Sequence, residues 1–429
     1  MLTKRRFSIL TVISLFTMLL LAACGPSADT PVPATPATTA AATSAATSAA
    51  ATTAAGSGSG ASTAASGSGS DIRIGLMGPF TGPSAGLGLG IKRGAQMAVD
   101  DINKAGGING RKIVLIERDD KATPSEGVTN ARDLIEKEKV LALFGTANTA
   151  VGVAQAPIIQ QSKIPWVVPV TTGTKITQEP GNPSYIFRIS MTDVYQTAYV
   201  ADFAINKYKK IALIHDDSGY GTLGRDDLLK SFKNRNVEPV LIESYKVGGT
   251  ADDMKPMLNK IKAAAPDAIV NWGLGAEAAN IKKAMKDLNI DTPMIGSWGL
   301  SMPNYPQLAN GLEAGTIVAQ TFSVDTTDQK QLDFINRYKS EYKTDRVDFP
   351  SGLAQSYDGM HLLAEALKQP GAADNRDTLR TALENVSGYD GIIKKYDKPW
   401  ANQYHEAFTD KDFFITVWKD GKMVKLDNK

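Results

Sequence analysis

Several short runs in this chain could in principle do chemistry. Gly82-Pro83-Ser84-Ala85-Gly86 has the spacing of a nucleophilic-serine elbow, and Asp358 with His361 or His405 would supply base and orienting acid in hydrolase chain order. Against this, the run lies at the first strand of the folded region. Pro83 hinders the strained elbow, and the glycines beyond it suggest a mobile loop. Gly86-Leu87-Gly88-Leu89-Gly90 fails as a dinucleotide fingerprint, because Ile91 stands where the third glycine belongs. Histidines at 215, 361 and 405 have no metal-ligand spacing, and a single cysteine excludes a multi-cysteine zinc site or an intrachain disulfide. Gly145-Thr146-Ala147-Asn148-Thr149-Ala150 follows a strand and opens a helix. Free N–H groups and the helix dipole suit such a spot to an anion, although an ordinary capped strand–helix turn is the commoner use.

These runs need a scaffold, and the chain divides into three unlike segments. Residues 1–23 carry Lys4, Arg5 and Arg6 ahead of an uncharged apolar stretch, Phe7 to Ala23, the pattern of an export signal. Leu21-Ala22-Ala23-Cys24 resembles the bacterial lipobox, which implies that Cys24 takes a lipid; the competing reading is an uncleaved anchor helix. Residues 25–70 are Ala, Thr, Ser, Gly and Pro, with Asp29 the only charge and Val32 the only sizeable aliphatic residue, too apolar-poor to offset their chain entropy. They read as a flexible tether with a reach of about 35–40 Å.

From residue 71 onward, strand-like runs alternate with amphipathic helices. Ile72–Met77, Lys112–Glu117, Val140–Phe144 and Trp166–Val170 read as strands; Ile91, Ala95, Ala98, Val99 and Ile102 share one helix face. Thr123-Pro124-Ser125-Glu126 reads as a capping box. The pattern restarts after Arg188, with strands near 211–215, 239–245, 268–272 and 293–296, and a final pair turning at Asp420-Gly421. The expected fold is α/β, two doubly wound parallel sheets in tandem. With 47 basic and 45 acidic residues, no basic footprint points to a nucleic-acid partner, and no cofactor is indicated. Removal of the leader would leave 44 basic against 45 acidic residues.

Residues 71–429 resemble the extracytoplasmic solute-binding proteins of branched-chain amino-acid ABC transporters, the Leu/Ile/Val-binding protein type. The resemblance rests on IGLMGPFTG at 74–82, GAQMAVDDINKAGGIN at 94–109, Arg118-Asp119-Asp120, Phe187-Arg188 and IHDDSGYG at 214–221. It implies a type I periplasmic-binding fold with two lobes and three hinge crossovers, lobe 1 at 71–189 plus 320–391 and lobe 2 at 190–319 plus 392–429. It implies a monomer that closes on a small solute and delivers it to a membrane permease and its ATPase, without chemistry. A sensing subunit without transport and a secreted hydrolase using Ser84 are the alternatives.

Carried across, the resemblance assigns Thr149 and Ala150 to the ligand carboxylate. It gives Thr171 and Thr172 to carboxylate and ammonium, and makes Tyr220 an aromatic closing from the other lobe. Two positions depart from the family: Trp298 replaces the acid that receives an ammonium, and Leu87 stands where an aromatic wall is usual. Trp272 and Trp298 could stack on a ligand, with core filling the alternative for both. An aromatic or short aliphatic acid, or an amide, is therefore a rival to an α-amino acid.

Overall fold

The computed structural model describes residues 70–179 and 181–426; the leader, Cys24 and the tether lie outside the described residues. The first sheet is built from β1 (Ile72–Gly78), β2 (Ile113–Asp119), β3 (Ala142–Phe144), β4 (Trp166–Val168) and β5 (Ile186–Arg188). Between them run α1 (Ala85–Lys104), α2 (Pro124–Glu136), α3 (Thr149–Gln161) and the single turn α4 (Lys175–Gln178). All five strands are parallel, in the order β2-β1-β3-β4-β5. Alternate side chains of a strand face opposite sides. Ile72, Ile74 and Leu76 therefore pack with Ile91, Ala95 and Ala98 of α1, while Met77 joins Ala131, Leu134 and Ile159 of α2 and α3.

The chain then crosses to a second sheet. This half contains α5 (Asp193–Lys207), β6 (Ile211–Asp216), α6 (Gly219–Lys233), β7 (Leu241–Tyr245), α7 (Ala251–Ala264), β8 (Ala268–Trp272) and α8 (Gly275–Asp287). It continues through β9 (Met294–Gly296), the short α9 (Asn304–Ala309) and β10 (Ile317–Gln320). Leu213 and Val270 face Val200 and Leu228 of α5 and α6; Ile214 and Ile269 face Leu258 and Ile281 of α7 and α8. Both faces of each sheet are thus covered, which is why the strands read as continuous apolar runs.

After β10 the chain returns to the first lobe as α10 (Gln329–Glu341), α11 (Pro350–Leu367), α12 (Arg376–Glu384) and a hairpin of β11 (Ser387–Asp390) and β12 (Lys395–Asp397). It finishes in the second sheet with β13 (Phe414–Lys419) and β14 (Lys422–Lys425). β13 pairs antiparallel with β10, giving the order β14-β13-β10-β9-β8-β6-β7. Their turn takes positive φ at Asp420 (51°) and Gly421 (69°), as a tight two-residue hairpin requires.

Three expectations are corrected. The last crossover comes later than residue 391. The N–H groups of Ile392 and Ile393 donate to Asp358 of α11 at 2.7 and 3.0 Å, and Trp400 Nε1 donates to the Arg188 carbonyl at 2.8 Å. The chain leaves the first lobe only after Phe408. The Gly86–Gly90 run is helix, not a mobile loop: a Cβ at Gly88 would lie 2.2 Å from the Pro79 carbonyl, and one at Gly94 2.4 Å from that of Leu353. These glycines let α1 pack closely on β1's exit and on α11, offsetting their poor helix propensity. At α2, Pro124 does take the first turn, but Thr123 makes no capping bond with its side chain; its hydroxyl points to the Lys121 carbonyl at 3.4 Å.

Candidate ligand-binding site

In an open parallel sheet, a crevice forms outside the carboxyl ends of strands where the winding reverses. Here the reversals fall between β1 and β3 in one lobe and between β6 and β8 in the other. The loops leaving those four strands meet across the cleft and enclose a cavity of about 240 Å³. Pro83, Ser84 and Leu87 come from the β1 exit, Ala147 to Ala150 from β3, Ser218 and Tyr220 from β6, and Leu274 from β8. Val170, Thr172, Lys121, Ala122, Val247, Trp298 and Gly299 complete the wall. A larger open groove of about 580 Å³ lies at the opposite, amino ends of β1 and β3, lined by Ser70, Arg111 and Arg376. It belongs to one lobe and faces no strand exit.

The anion-binding potential of the cavity comes from α3. Its N-cap, Asn148, makes no side-chain capping bond, so the first-turn amides from Thr149 onward have no side-chain acceptor. The loop carrying them is rigidly supported. The Thr146 hydroxyl donates to buried Asp120, Trp166 Nε1 donates to the Gly145 carbonyl, and the Thr171 hydroxyl donates to the Thr146 carbonyl at 2.7 Å. Asn148 Nδ2 donates to Ser84 Oγ at 3.2 Å, while its Oδ1 is buried without a partner.

The sequence-derived site residues separate into two groups. Leu87, Thr149, Ala150, Thr172, Tyr220 and Trp298 converge on the cavity. Thr171 does not: its hydroxyl is spent on the Thr146 carbonyl, so it braces the loop rather than facing a ligand. Trp272 does not either. It is wholly buried in the second lobe's core, its ring centroid 6.1 Å from that of Tyr220, and a Cβ on Gly224 would sit 2.0 Å from its Nε1. Trp298 has a double contact, facing the cavity and lying 5.1 Å from the ring of Phe349 in the opposite lobe. The Ser218 hydroxyl caps α6, accepting from Tyr220 N at 3.1 Å, and so fixes the aromatic residue's approach.

The hydrolase alternative fails on geometry. Asp358 accepts the amides of Ile392 and Ile393 and the Tyr396 hydroxyl. His361 stacks on Tyr389, and burial lowers its pKa to about 4. His405 stacks on Phe187 and bonds to the Ile186 carbonyl and Glu384. The side chain bonded to Ser84 Oγ is Asn148.

One buried acid next to the site's wall escaped sequence reasoning. Asp193 opens α5 just past the first crossover, and its carboxylate oxygens are both buried without a hydrogen-bond donor among the described residues. Burial raises its pKa to about 7; the nearby Thr172 hydroxyl opposes that rise without reaching good bonding geometry, and the charge of Asp227 adds to it. An Asp after Thr192 reads in sequence as a helix-start acid, which hid it.

Comparison with known proteins agrees with this architecture. Residues 71–422 match the model of the periplasmic binding protein family. The chain is 27% identical over 362 residues to Leu/Ile/Val-binding protein homolog 3 of Brucella melitensis, covering 83% of this chain and 94% of that one. The branched-chain amino-acid transporter substrate-binding protein LivJ of Streptococcus pneumoniae, solved with isoleucine, superposes with a TM-score of 0.73 at 26% identity, covering 82% of this chain and 97% of that one. A solute-binding protein of R. palustris solved with benzoate shares the fold, with a TM-score of 0.73 at 23% identity over 83% of this chain and 95% of that one. On the family match, the chain belongs to the periplasmic binding protein family, whose members are substrate-binding proteins and not enzymes.

Proposed function

We propose that this chain is the receptor of an ABC importer, held outside the cytoplasmic membrane by a lipid on Cys24 and carried on the 25–70 tether. It captures a small carboxylate-bearing solute between its lobes and hands it to a permease driven by an ATPase. The observation that carries this reading is the cavity itself. The uncapped amino end of α3 faces a space walled by Leu87, Val170, Leu274 and Trp298 and drawn from both lobes. Free amides favour a carboxylate, and the apolar walls favour a compact hydrocarbon side chain. At about 240 Å³ the space lies below the ~300–1,000 Å³ of drug-sized pockets, which suits a solute the size of a single amino acid or aromatic acid.

Closure follows from differential contact. A ligand touching Thr149 and Thr172 on one side and Tyr220 and Trp298 on the other completes its contacts only when the lobes meet. The crossovers after Arg188, Gln320 and Phe408 serve as the hinges. Native mass spectrometry of the protein purified from membranes in mild detergent tests the reading. It should carry one small acid per chain, released on denaturation. A protein that carries no solute, and whose melting temperature no amino or organic acid raises, would overturn it. The anchor is tested separately, since Cys24→Ala should move the protein from the membrane fraction to the soluble one.

A further inference from the structure

The solute reading assigns one end of the ligand, the carboxylate at the amino end of α3. The rest of the cavity wall bears on what the other end carries. Lys121 is the only charged side chain among the described residues that line the cavity, and no acidic side chain lines it. The other polar groups there are hydroxyls and one amide. Among them Tyr220 is 7% exposed, and its hydroxyl is buried with no partner among the described residues, a donor left for an acceptor that enters the cavity.

The loop holds Lys121 in place without using its charge. Lys121 and Ala122 both take left-handed backbone at the exit of β2, with φ of 49° and 60°. The Lys121 N–H donates to Asp119 Oδ1 at 3.0 Å, and the Ala122 N–H to Asp120 Oδ1 at 2.9 Å. Both acids are engaged further, Asp119 by the Phe80 N–H and the Thr81 hydroxyl, Asp120 by the Thr146 hydroxyl. The Lys121 ammonium makes no ion pair among the described residues.

The sheet order puts this charge at the mouth of the cavity. β2 and β7 are the edge strands farthest from β5 and β10, where the first two crossovers leave. Lys121 after β2 and Val247 after β7 therefore stand on the side away from the hinge, and both are exposed. α3 opens after β3, two strands further in, so at about 4.8 Å per strand the two positive ends are roughly 10 Å apart along the sheet. Leu87 comes from the exit of β1, the strand between them.

Resting on the solute-binding reading, we propose that Lys121 is a specificity-determining residue that selects solutes carrying a second anionic group at the end remote from α3. One carboxylate takes the α3 amides, the second meets the Lys121 ammonium at the mouth, and an apolar spacer packs on Leu87 between them. The class is a small dicarboxylate bridged by a short aliphatic chain or a ring. A positive mouth with no acid in the wall also draws such anions in before the lobes close.

Calorimetric titration of the full protein, purified from membranes and freed of solute, tests this with three pairs that differ by one carboxylate: glutarate and glutaramate, L-glutamate and L-glutamine, terephthalate and benzoate. L-Leucine is the reference with a single carboxylate. The wild type should bind the doubly carboxylated member of at least one pair about fivefold more tightly at low ionic strength, the worth of one partly exposed ion pair. That preference should shrink as salt is added. Lys121→Met should bring the pair to within about twofold by weakening only the doubly carboxylated member, while Lys121→Arg keeps the preference. Both variants should melt with the wild type, since Lys121 is exposed. A Lys121→Met protein that keeps the preference, or that weakens both members equally, overturns the inference. So does a preference indifferent to salt, whatever the variants do. A wild type whose tightest ligand is L-leucine, benzoate or another member with a single carboxylate overturns it while leaving solute binding intact. A wild type that binds none of these solutes overturns the solute reading and the inference with it.

Discussion

Thr174, at the start of α4 in the first lobe, donates its hydroxyl hydrogen to the carboxylate of Asp227 on α6 of the second lobe at 2.7 Å, and the same oxygen accepts the Val194 N–H at 3.1 Å. One side chain thereby ties the first lobe to two helices of the second. The bond to a charged acceptor is of the stronger kind, about 1.5–3 kcal/mol. Its value enters closure, since it joins residues that move apart when the lobes separate. Thr174→Val should therefore weaken solute binding by about 5- to 30-fold through faster release, at ~1.4 kcal/mol per decade. Stopped-flow release would show it; an unchanged release rate would mean the contact is present in the open form as well.

The buried Arg188–Glu406 pair makes a different prediction. Its side chains are 0% and 5% exposed and 2.7 Å apart at Nη2 and Oε1. Removing one partner strands the other charge in the interior, which costs about 3–5 kcal/mol. Glu406→Ala should lower unfolding stability by that amount in urea titrations. It should also loosen residues 400–408 from β5, detectable as faster amide exchange at Ala407, whose N–H donates to the Arg188 carbonyl. A stability loss under 1 kcal/mol would count against the pair as the clamp for this segment.

The two tryptophans should part company. Trp272→Ala empties a fully buried core site and should cost about 3–5 kcal/mol of stability. Trp298→Ala removes a cavity wall and the cross-lobe contact with Phe349, so solute affinity should fall tenfold or more. Melting curves with and without solute separate these outcomes. Equal affinity losses in both variants would refute the division.

Stability should also depend on pH in a direction the hinge dictates, and Asp193→Asn should flatten that dependence. Asp193 is held up to about 7 by burial. Its raised carboxyl binds a proton more tightly than the unfolded chain does, so this group favours the fold as pH drops from about 7 toward 4. Calorimetry across pH 5–8 with both proteins would check the slope.

Most of the alternation of strands and helices was legible because each segment repeats one period long enough to see. β8 occupies Ala268–Trp272 as read. β5 and β10 were not foreseen: three and four residues buried on both sides carry no periodicity. The cavity loops were found where a strand hands over to a helix. What sequence could not show is which way a side chain turns. Thr171 and Thr172 are identical neighbours, yet one braces a loop and the other lines the cavity. Trp272 and Trp298 differ in the same way, and nothing in sequence shows that the Asp193 carboxylate is buried without a donor among the described residues.

The late position of the last crossover has a consequence for how the chain comes to be folded. β10 acquires its neighbour β13 from residues 414–419, and Arg188 acquires Glu406, more than two hundred positions further along. Neither lobe can close its structure until residues 406–419 have been made. Pairings of such sequence separation form slowly. A nascent chain in this state keeps its core segments open to chaperones and to a secretion channel, so a topology that delays its own completion suits a protein whose family works outside the membrane it must first cross.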